Sequence, residues 1–175
     1  MAVIAITGTP GTGKTGAARE LARMLGWKLV ELNRLAEEYG LYAGYDRQRK
    51  CRIVDIGLIS KEVGRLAKKH GNLIIESHYA QDMPCDVVVV LRANPAELRK
   101  RLEAKGWPSR KIEENIEAEI MEVIRSEALQ QGRDVLEVDT TGKKPVTAAE
   151  YIRKKLIELR LLPGTTRNPS QAGNC

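Results

Sequence analysis

The 175-residue sequence predicts a three-layer α/β fold built on a parallel sheet. Three observations carry that expectation. Strand-like and helix-like patterns alternate along the chain, as they do where helices cover both faces of a sheet. The apolar runs are continuous and β-branched, Asp86-Val87-Val88-Val89-Val90-Leu91 above all, which marks strands buried on both sides. The first run, Ala2-Val3-Ile4-Ala5-Ile6, leads straight into the glycine-rich turn Gly8-Thr9-Pro10-Gly11-Thr12-Gly13-Lys14-Thr15, and a helical pattern follows.

Taken in order, residues 2–7 read as the first strand. The helix that carries Lys14 runs to Leu25 and stops at Gly26. Lys28 to Leu32 is a short second strand, and Arg34 to Glu38 one or two helical turns. Gly40 to Gly44 reads as a loop. Ile56 to His70 is amphipathic, with Ile56, Ile59, Val63, Leu66 and Ala67 on one face. Asn72 to Glu76 is the third strand and Asp86 to Leu91 the fourth. Asn94-Pro95-Ala96-Glu97 opens a helix, with a capping Asn, Pro in the first turn and Glu at N3. That helix ends near Gly106, and Trp107-Pro108 breaks the chain. Ser109 then opens a long helix to Gln131. Val135 to Asp139 is the fifth strand. Thr147-Ala148-Ala149-Glu150 reads as a capping box that starts a last helix reaching Leu162. One domain therefore occupies residues 1–162. Residues 163–175 lack apolar periodicity and read as a flexible tail.

The turn at residues 8–15 matches the strand–GxxxxGK[ST]–helix pattern of a phosphate-binding loop. The glycines let the backbone turn its N–H groups inward around phosphate oxygens. The helix start adds the positive end of its dipole. Lys14 supplies an ammonium for β- and γ-phosphates, and Thr15 a hydroxyl for Mg²⁺. Gly8, Thr9, Gly11, Thr12, Gly13, Lys14 and Thr15 are thus the candidate nucleotide contacts. Glu76 ends the third strand, where an acidic residue beside such a loop holds Mg²⁺ or its water. His78 follows two residues later; it could orient an attacking water or move a proton, or be a loop histidine without a role. Arg101 and Lys105 share one helix face beside the Trp107-Pro108 break. They suit a lid that neutralises a moving phosphoryl group; a solvated basic face is the alternative. The stretch from Tyr42 to Arg52 is too long and too rich in Tyr and Arg for a plain connection, and is either a cover for a phosphoryl acceptor or a basic surface loop. Asp139-Thr140-Thr141-Gly142 follows the last strand, where its backbone would line a nucleotide base.

Composition narrows the class further. A formal net charge of +6 favours anionic ligands or an RNA-rich setting. Aromatic residues make up 4% of the chain and Phe is absent, so stacking platforms for single-stranded bases are sparse. No apolar run is long enough to span a bilayer, and the N-terminal run reads as a strand rather than a signal peptide. Cys51, Cys85 and Cys175 show no CxxC spacing, which argues against zinc. Two buried thiols and one tail thiol are expected, in a reducing compartment.

Five stretches occur here in one order: Gly8 to Thr15, Leu41-Tyr42-Ala43-Gly44-Tyr45-Asp46, Glu76-Ser77-His78, Asp86 to Leu91, and Ile112-Glu113-Glu114-Asn115-Ile116-Glu117-Ala118-Glu119-Ile120. Together they resemble the adenylate kinase isoenzyme 6 family, small adenylate kinases that also assist small-ribosomal-subunit assembly. The resemblance covers residues 1–160. It implies a P-loop fold like that of nucleoside monophosphate kinases, with a five-stranded sheet in the order 2-3-1-4-5. It implies ATP and Mg²⁺ as cofactors, with ATP on Gly11, Gly13, Lys14, Thr15, Gly16 and Lys105, and Mg²⁺ on Thr15 and Glu76. Lys14, Glu76, His78 and Arg101 would be catalytic, with His78 linked to ATP hydrolysis. The acceptor AMP would lie within residues 31–54, near Arg34, Tyr45, Asp46 and Arg47, under a lid at residues 104–114. Ribosomal protein uS11 and the pre-small subunit would be partners, in the cytoplasm or, in a eukaryote, the nucleus. The sequence departs from the family pattern at Glu76, commonly Asp; at Glu37, often Arg, for which Arg34 is the substitute; and at Gly16, commonly Thr. The acidic run Glu113, Glu114, Glu117, Glu119 and Glu122 is either a surface for a basic partner or a solvated helix face. A kinase of small alcohols, such as a shikimate- or gluconate-like compound, shares the loop and lid and is the competing enzyme class. A GTPase lacks support, since no NKxD motif is present.

Overall fold

The computed structural model describes residues 1–47 and 51–162. Strand β1 (Val3–Thr7) is buried along its whole length. It lies in the middle of a five-stranded parallel sheet with β2 (Lys28–Glu31), β5 (Leu73–Glu76), β6 (Val87–Arg92) and β7 (Val135–Asp139), in the order β2-β5-β1-β6-β7. Counted among the sheet strands alone, this is the expected 2-3-1-4-5. Two further strands, β3 (Tyr42–Asp46) and β4 (Cys51–Val54), pair with each other antiparallel in a separate sheet.

The continuous apolar runs have the cause expected of them. Successive strand residues point to opposite faces, and here both faces are covered. Ile4, Ile6, Ile74, Val87, Val89 and Leu91 pack under α1 (Lys14–Leu25) and α7 (Pro145–Glu158). Val3, Ala5, Leu73, Ile75, Val88 and Val90 pack under α2 (Leu32–Tyr39), α3 (Ile56–His70) and α6 (Val123–Gln130). A third, smaller core joins α4 (Pro95–Ala104) to α5 (Ser109–Ile120) through Leu98, Leu102, Ile112 and Ile116, with Trp107 against it. This satellite core makes the basic helix, the break and the next helix one packed hairpin.

Several boundaries follow the sequence closely. Asn94 caps α4 by accepting from the Ala96 amide at 2.9 Å, with Pro95 in the first turn. Gly26 ends α1 in the left-handed conformation, as C-terminal glycines do.

Four expectations need correction. The Gly40–Gly44 loop is mostly strand, because Tyr42 to Asp46 finds a partner in Cys51–Val54. The single helix from Ser109 to Gln131 is two helices, broken at Met121 and Glu122, where Glu122 takes a φ of 53°. The last helix starts two residues before the expected capping box, at Pro145, and no side chain caps it. Proline pre-set at the first position makes the cap unnecessary there. Cys51 is exposed on β4 and not buried, while Cys85 is half-buried. The tail from residue 163 and residues 48–50 of the hairpin region lie outside the described residues.

Candidate active site

The site is built at the carboxyl ends of β1 and β5, which lie side by side with Ile6 opposite Glu76. The loop after β1 turns so tightly that its first glycines admit no side chain. A Cβ on Gly8, at a φ of 140°, would stand 2.3 Å from the Leu91 carbonyl oxygen. On Gly11 it would stand 2.7 Å from a methyl of Leu98. Gly13, also at positive φ, then opens α1, and no side chain caps its first amides. Those amides are the donors an anion would meet.

Lys14 leads α1 and is buried, with its Nζ donating to the Thr9 carbonyl at 3.1 Å. The same carbonyl accepts the Thr12 hydroxyl at 2.8 Å and the Thr12 amide at 3.2 Å. Burial pulls the Lys14 ammonium down to about 8, a fall that nearby Lys105 deepens and that the carboxylates of Glu76 and Glu119 oppose. Thr15 lies one residue on, and its hydroxyl donates to Glu76 at 3.3 Å. Burial raises the Glu76 carboxyl above the usual range, against the pull of Lys14 and the Thr15 bond. A hydroxyl and a carboxylate side by side are hard oxygen donors. They suit Mg²⁺, which takes only one or two protein ligands and completes its shell with phosphate and water. Among the described residues no group of three or more His, Cys, Asp or Glu forms a metal cage.

His78 stands beyond Glu76 at the rim, exposed on its outer side, with Tyr79 edge-on at 5.0 Å between ring centres. Crowding by the surrounding protein, and then the Lys14 ammonium, hold its imidazole below the ordinary range. It is therefore neutral near pH 7, the form able to accept a proton.

The cations of α4 separate as the helix geometry dictates. Arg101 reaches inward: its guanidinium donates to the Gly11 carbonyl at 3.3 Å and to the Thr140 carbonyl at 3.2 Å, and pairs with Glu97 at 3.0 Å. Arg101 thus braces the phosphate loop against the loop after β7. Lys105 ends α4, exposed, close enough to act on Lys14. Arg99 points outward to Glu113.

Other expected residues sit on different elements. Arg34 is exposed on α2; Tyr45 is exposed and Asp46 half-buried on β3, with Arg47 exposed just after it. Thr9 and Thr12 spend their hydroxyls within the protein, Thr9 on Glu119 and Thr12 on the Thr9 carbonyl. Gly16 has a packing role: a Cβ there would stand 3.0 Å from Pro145 of α7.

Two functional positions escaped the sequence reading. The Thr140 hydroxyl, buried, lies 2.8 Å from the Thr12 carbonyl and 2.9 Å from the Arg92 carbonyl, tying β6 and the last loop to the phosphate loop. Glu119 is not part of a solvated acidic face. It is 3% exposed, accepts the Thr9 hydroxyl at 2.5 Å, and takes Arg92 Nε at 2.6 Å and the Ala93 amide at 3.1 Å. A signal for it existed, since Ile112, Ile116 and Glu119 share one helix face and the first two are core residues. The remaining acids of that run are largely matched: Glu113 with Arg99, Glu114 with Arg110, Glu122 with Arg92 and Arg125.

A glycine-rich cradle with a lysine, a hydroxyl and a carboxylate, at the open end of a parallel sheet and flanked by a helical hairpin, defines a protein of the P-loop kinase class. Solved structures share the architecture. Shikimate kinase from Acinetobacter baumannii superposes with a TM-score of 0.64 at 17% identity, over 93% of this chain and 96% of that one. Deoxyadenosine kinase from M. mycoides superposes with a TM-score of 0.62 at 16% identity, over 89% and 99%. A family model described as an AAA domain matches residues 4–122. Closer likeness is found in sequence. Relatives named "Putative adenylate kinase" are 40% identical over 154 residues in Methanosarcina barkeri, covering 87% of this chain and 84% of the relative, and 42% identical over 144 residues in Pyrococcus furiosus, covering 82% and 77%. The chain belongs to this adenylate-kinase family, the one its motifs resemble. Among the described residues no helix is long and apolar enough to cross a membrane.

Proposed function

We propose that the protein is an adenylate kinase that transfers the γ-phosphoryl group of ATP to AMP, giving two ADP. The observation that carries the reading is the convergence of Lys14, Thr15 and Glu76 at adjoining strand ends, in a chain whose relatives carry the adenylate kinase name. Lys14 leaves the Thr9 carbonyl to meet the β- and γ-oxygens, while the amides opening α1 bind the same anion. Thr15 and Glu76 would hold Mg²⁺, which would neutralise phosphate charge. Arg101 keeps the Gly11 peptide in place, and Lys105 swings over the transferring group as the lid closes. Arg34, with Tyr45, Asp46 and Arg47 on the hairpin, receives AMP. The bond between the γ-phosphorus and the bridging oxygen breaks as an AMP phosphate oxygen attacks in line, and no proton need be abstracted.

With water in place of AMP the same cradle hydrolyses ATP, and neutral His78 at the rim orients that water. The motif resemblance adds a role in small-subunit assembly through uS11, for which the exposed hairpin side chains Tyr45 and Ile53 offer a contact surface. A survey with ATP as donor and AMP, other monophosphates, shikimate-like alcohols or water as acceptors tests the reading. ADP formation that depends on AMP supports it; phosphorylation of an alcohol without AMP-dependent turnover overturns it. Pull-down of uS11 with and without ATP tests the assembly role, and absence of binding in both states removes it.

A further inference from the structure

The Glu119 carboxylate is buried and paired with Arg92, but the pair does not use all of it. It spends one oxygen on Arg92 and the Ala93 amide, and the other on a hydroxyl of the phosphate loop, 110 residues away in sequence. The distance of 2.5 Å to Thr9 Oγ1 is that of a charge-assisted O–H···O⁻ bond. Thr9 is consequently gripped at two points. Its hydroxyl is held by Glu119, and its carbonyl carries Lys14 and Thr12. The helix that delivers Glu119 is α5, the second arm of the lid hairpin, and it ends one residue later at a joint where Glu122 adopts the left-handed conformation, with a φ of 53°. A non-glycine residue there is strained and persists only where its surroundings demand it. Arg92 supplies that demand, reaching Glu119 and Glu122 together.

We propose that Glu119 is a positioning residue for the phosphate loop: from the second helix of the hairpin its carboxylate fixes Thr9, and through Thr9 the turn that the Thr9 carbonyl closes with Thr12. Glu119 makes no contact with the nucleotide itself. Its action falls on the donor side, because Thr9 belongs to the cradle for ATP and not to the acceptor elements. The inference rests on the adenylate kinase reading above.

The test measures ATP and AMP affinities and steady-state constants for the parent, Glu119→Gln, Glu119→Ala, Thr9→Val and the Thr9→Val/Glu119→Ala pair. Each is measured at a temperature where circular dichroism shows it folded. Glu119→Ala should weaken ATP binding by about tenfold or more, the scale of one lost charge-assisted bond, and leave AMP binding unchanged. Glu119→Gln, whose amide oxygen can stay on Arg92 and the Ala93 amide while its NH2 donates to Thr9 Oγ1, should recover part of that loss. Thr9→Val should weaken ATP like Glu119→Ala, and the pair should be no worse than either alone. A residue that only supports the fold would lower thermal stability and affect both substrates equally, or neither. Unchanged ATP affinity in folded Glu119→Ala, or full additivity in the pair, overturns the proposal. If Glu119→Ala does not fold, Thr9→Val decides: ATP affinity equal to the parent's overturns it. A parent that binds no ATP would instead refute the kinase reading, so the two failures are distinguishable.

Discussion

Lys14 carries a burden that the fold would be better without. Its ammonium is buried and titrates near 8 instead of 10.5. The unfolded chain therefore binds the extra proton between those values while the native state has released it. The Lys14 contribution to stability accordingly rises with pH across that window and is least favourable below it. At pH 7 the buried charge costs about 3 kcal/mol. Lys14→Met should then leave the ligand-free protein at least as stable as the parent in urea unfolding at pH 7, while removing ATP binding. A less stable variant would mean that the Thr9 contact outweighs the burial cost. The same titration predicts that ATP affinity falls about threefold between pH 7.5 and 8.5, as the ammonium that meets the phosphates is lost. Calorimetry on the parent at the two values checks this, and an affinity unchanged between them contradicts it. The placement of this residue was legible in the sequence, because the glycine spacing dictates the turn whatever surrounds it. The contributions of Glu119 and Thr140 were not, because each acts on residues more than a hundred positions away and becomes visible only when β6, β7 and α5 are assembled around the loop.

At the scale of elements, the strands and their covering helices followed from hydrophobic pattern alone, since a strand buried on both faces has no alternative home. The breaks were harder to read. Residues 109–131 keep a helical pattern through Met121 and Glu122, and the ion pairs of Arg92 and Arg125 with Glu122 and of Arg125 with Glu137 gather where the chain turns. The β3–β4 hairpin hid behind a Gly-Tyr composition that also suits a loop. Gly16 carries a packing constraint between elements. A threonine there, the residue the motif resemblance leads one to expect, would drive its Cβ against Pro145, 3.0 Å away. Gly16→Thr should destabilise the protein by about 1 kcal/mol or more through overpacking between α1 and α7. Thermal unfolding checks this. A stabilised variant would show that α7 can yield.

For the whole molecule, the sheet order places the strand that feeds the phosphate loop between its two longest-range partners, so ligand chemistry collects at one edge, outside the carboxyl ends of the strands. The α4–α5 hairpin has its own small core and the β3–β4 pair its own sheet, and Arg101 and Glu119 tie that hairpin to the phosphate loop. On the kinase reading, divalent metal would enter with the nucleotide, held by Thr15 and Glu76, and would be no part of the fold. Chelation should therefore leave the melting temperature of the ligand-free protein within about 1 °C of its starting value, while phosphoryl transfer is lost. A large fall in melting temperature would point to a structural metal. The central claim is that backbone amides after β1, together with Lys14, form the seat of a nucleotide's terminal phosphates. The direct measurement is calorimetric titration of Mg·ATP into the parent and into Lys14→Met. Saturable binding by the parent, with the variant silent, is the predicted result; no association by the parent at millimolar nucleotide, or equal binding by both, contradicts it.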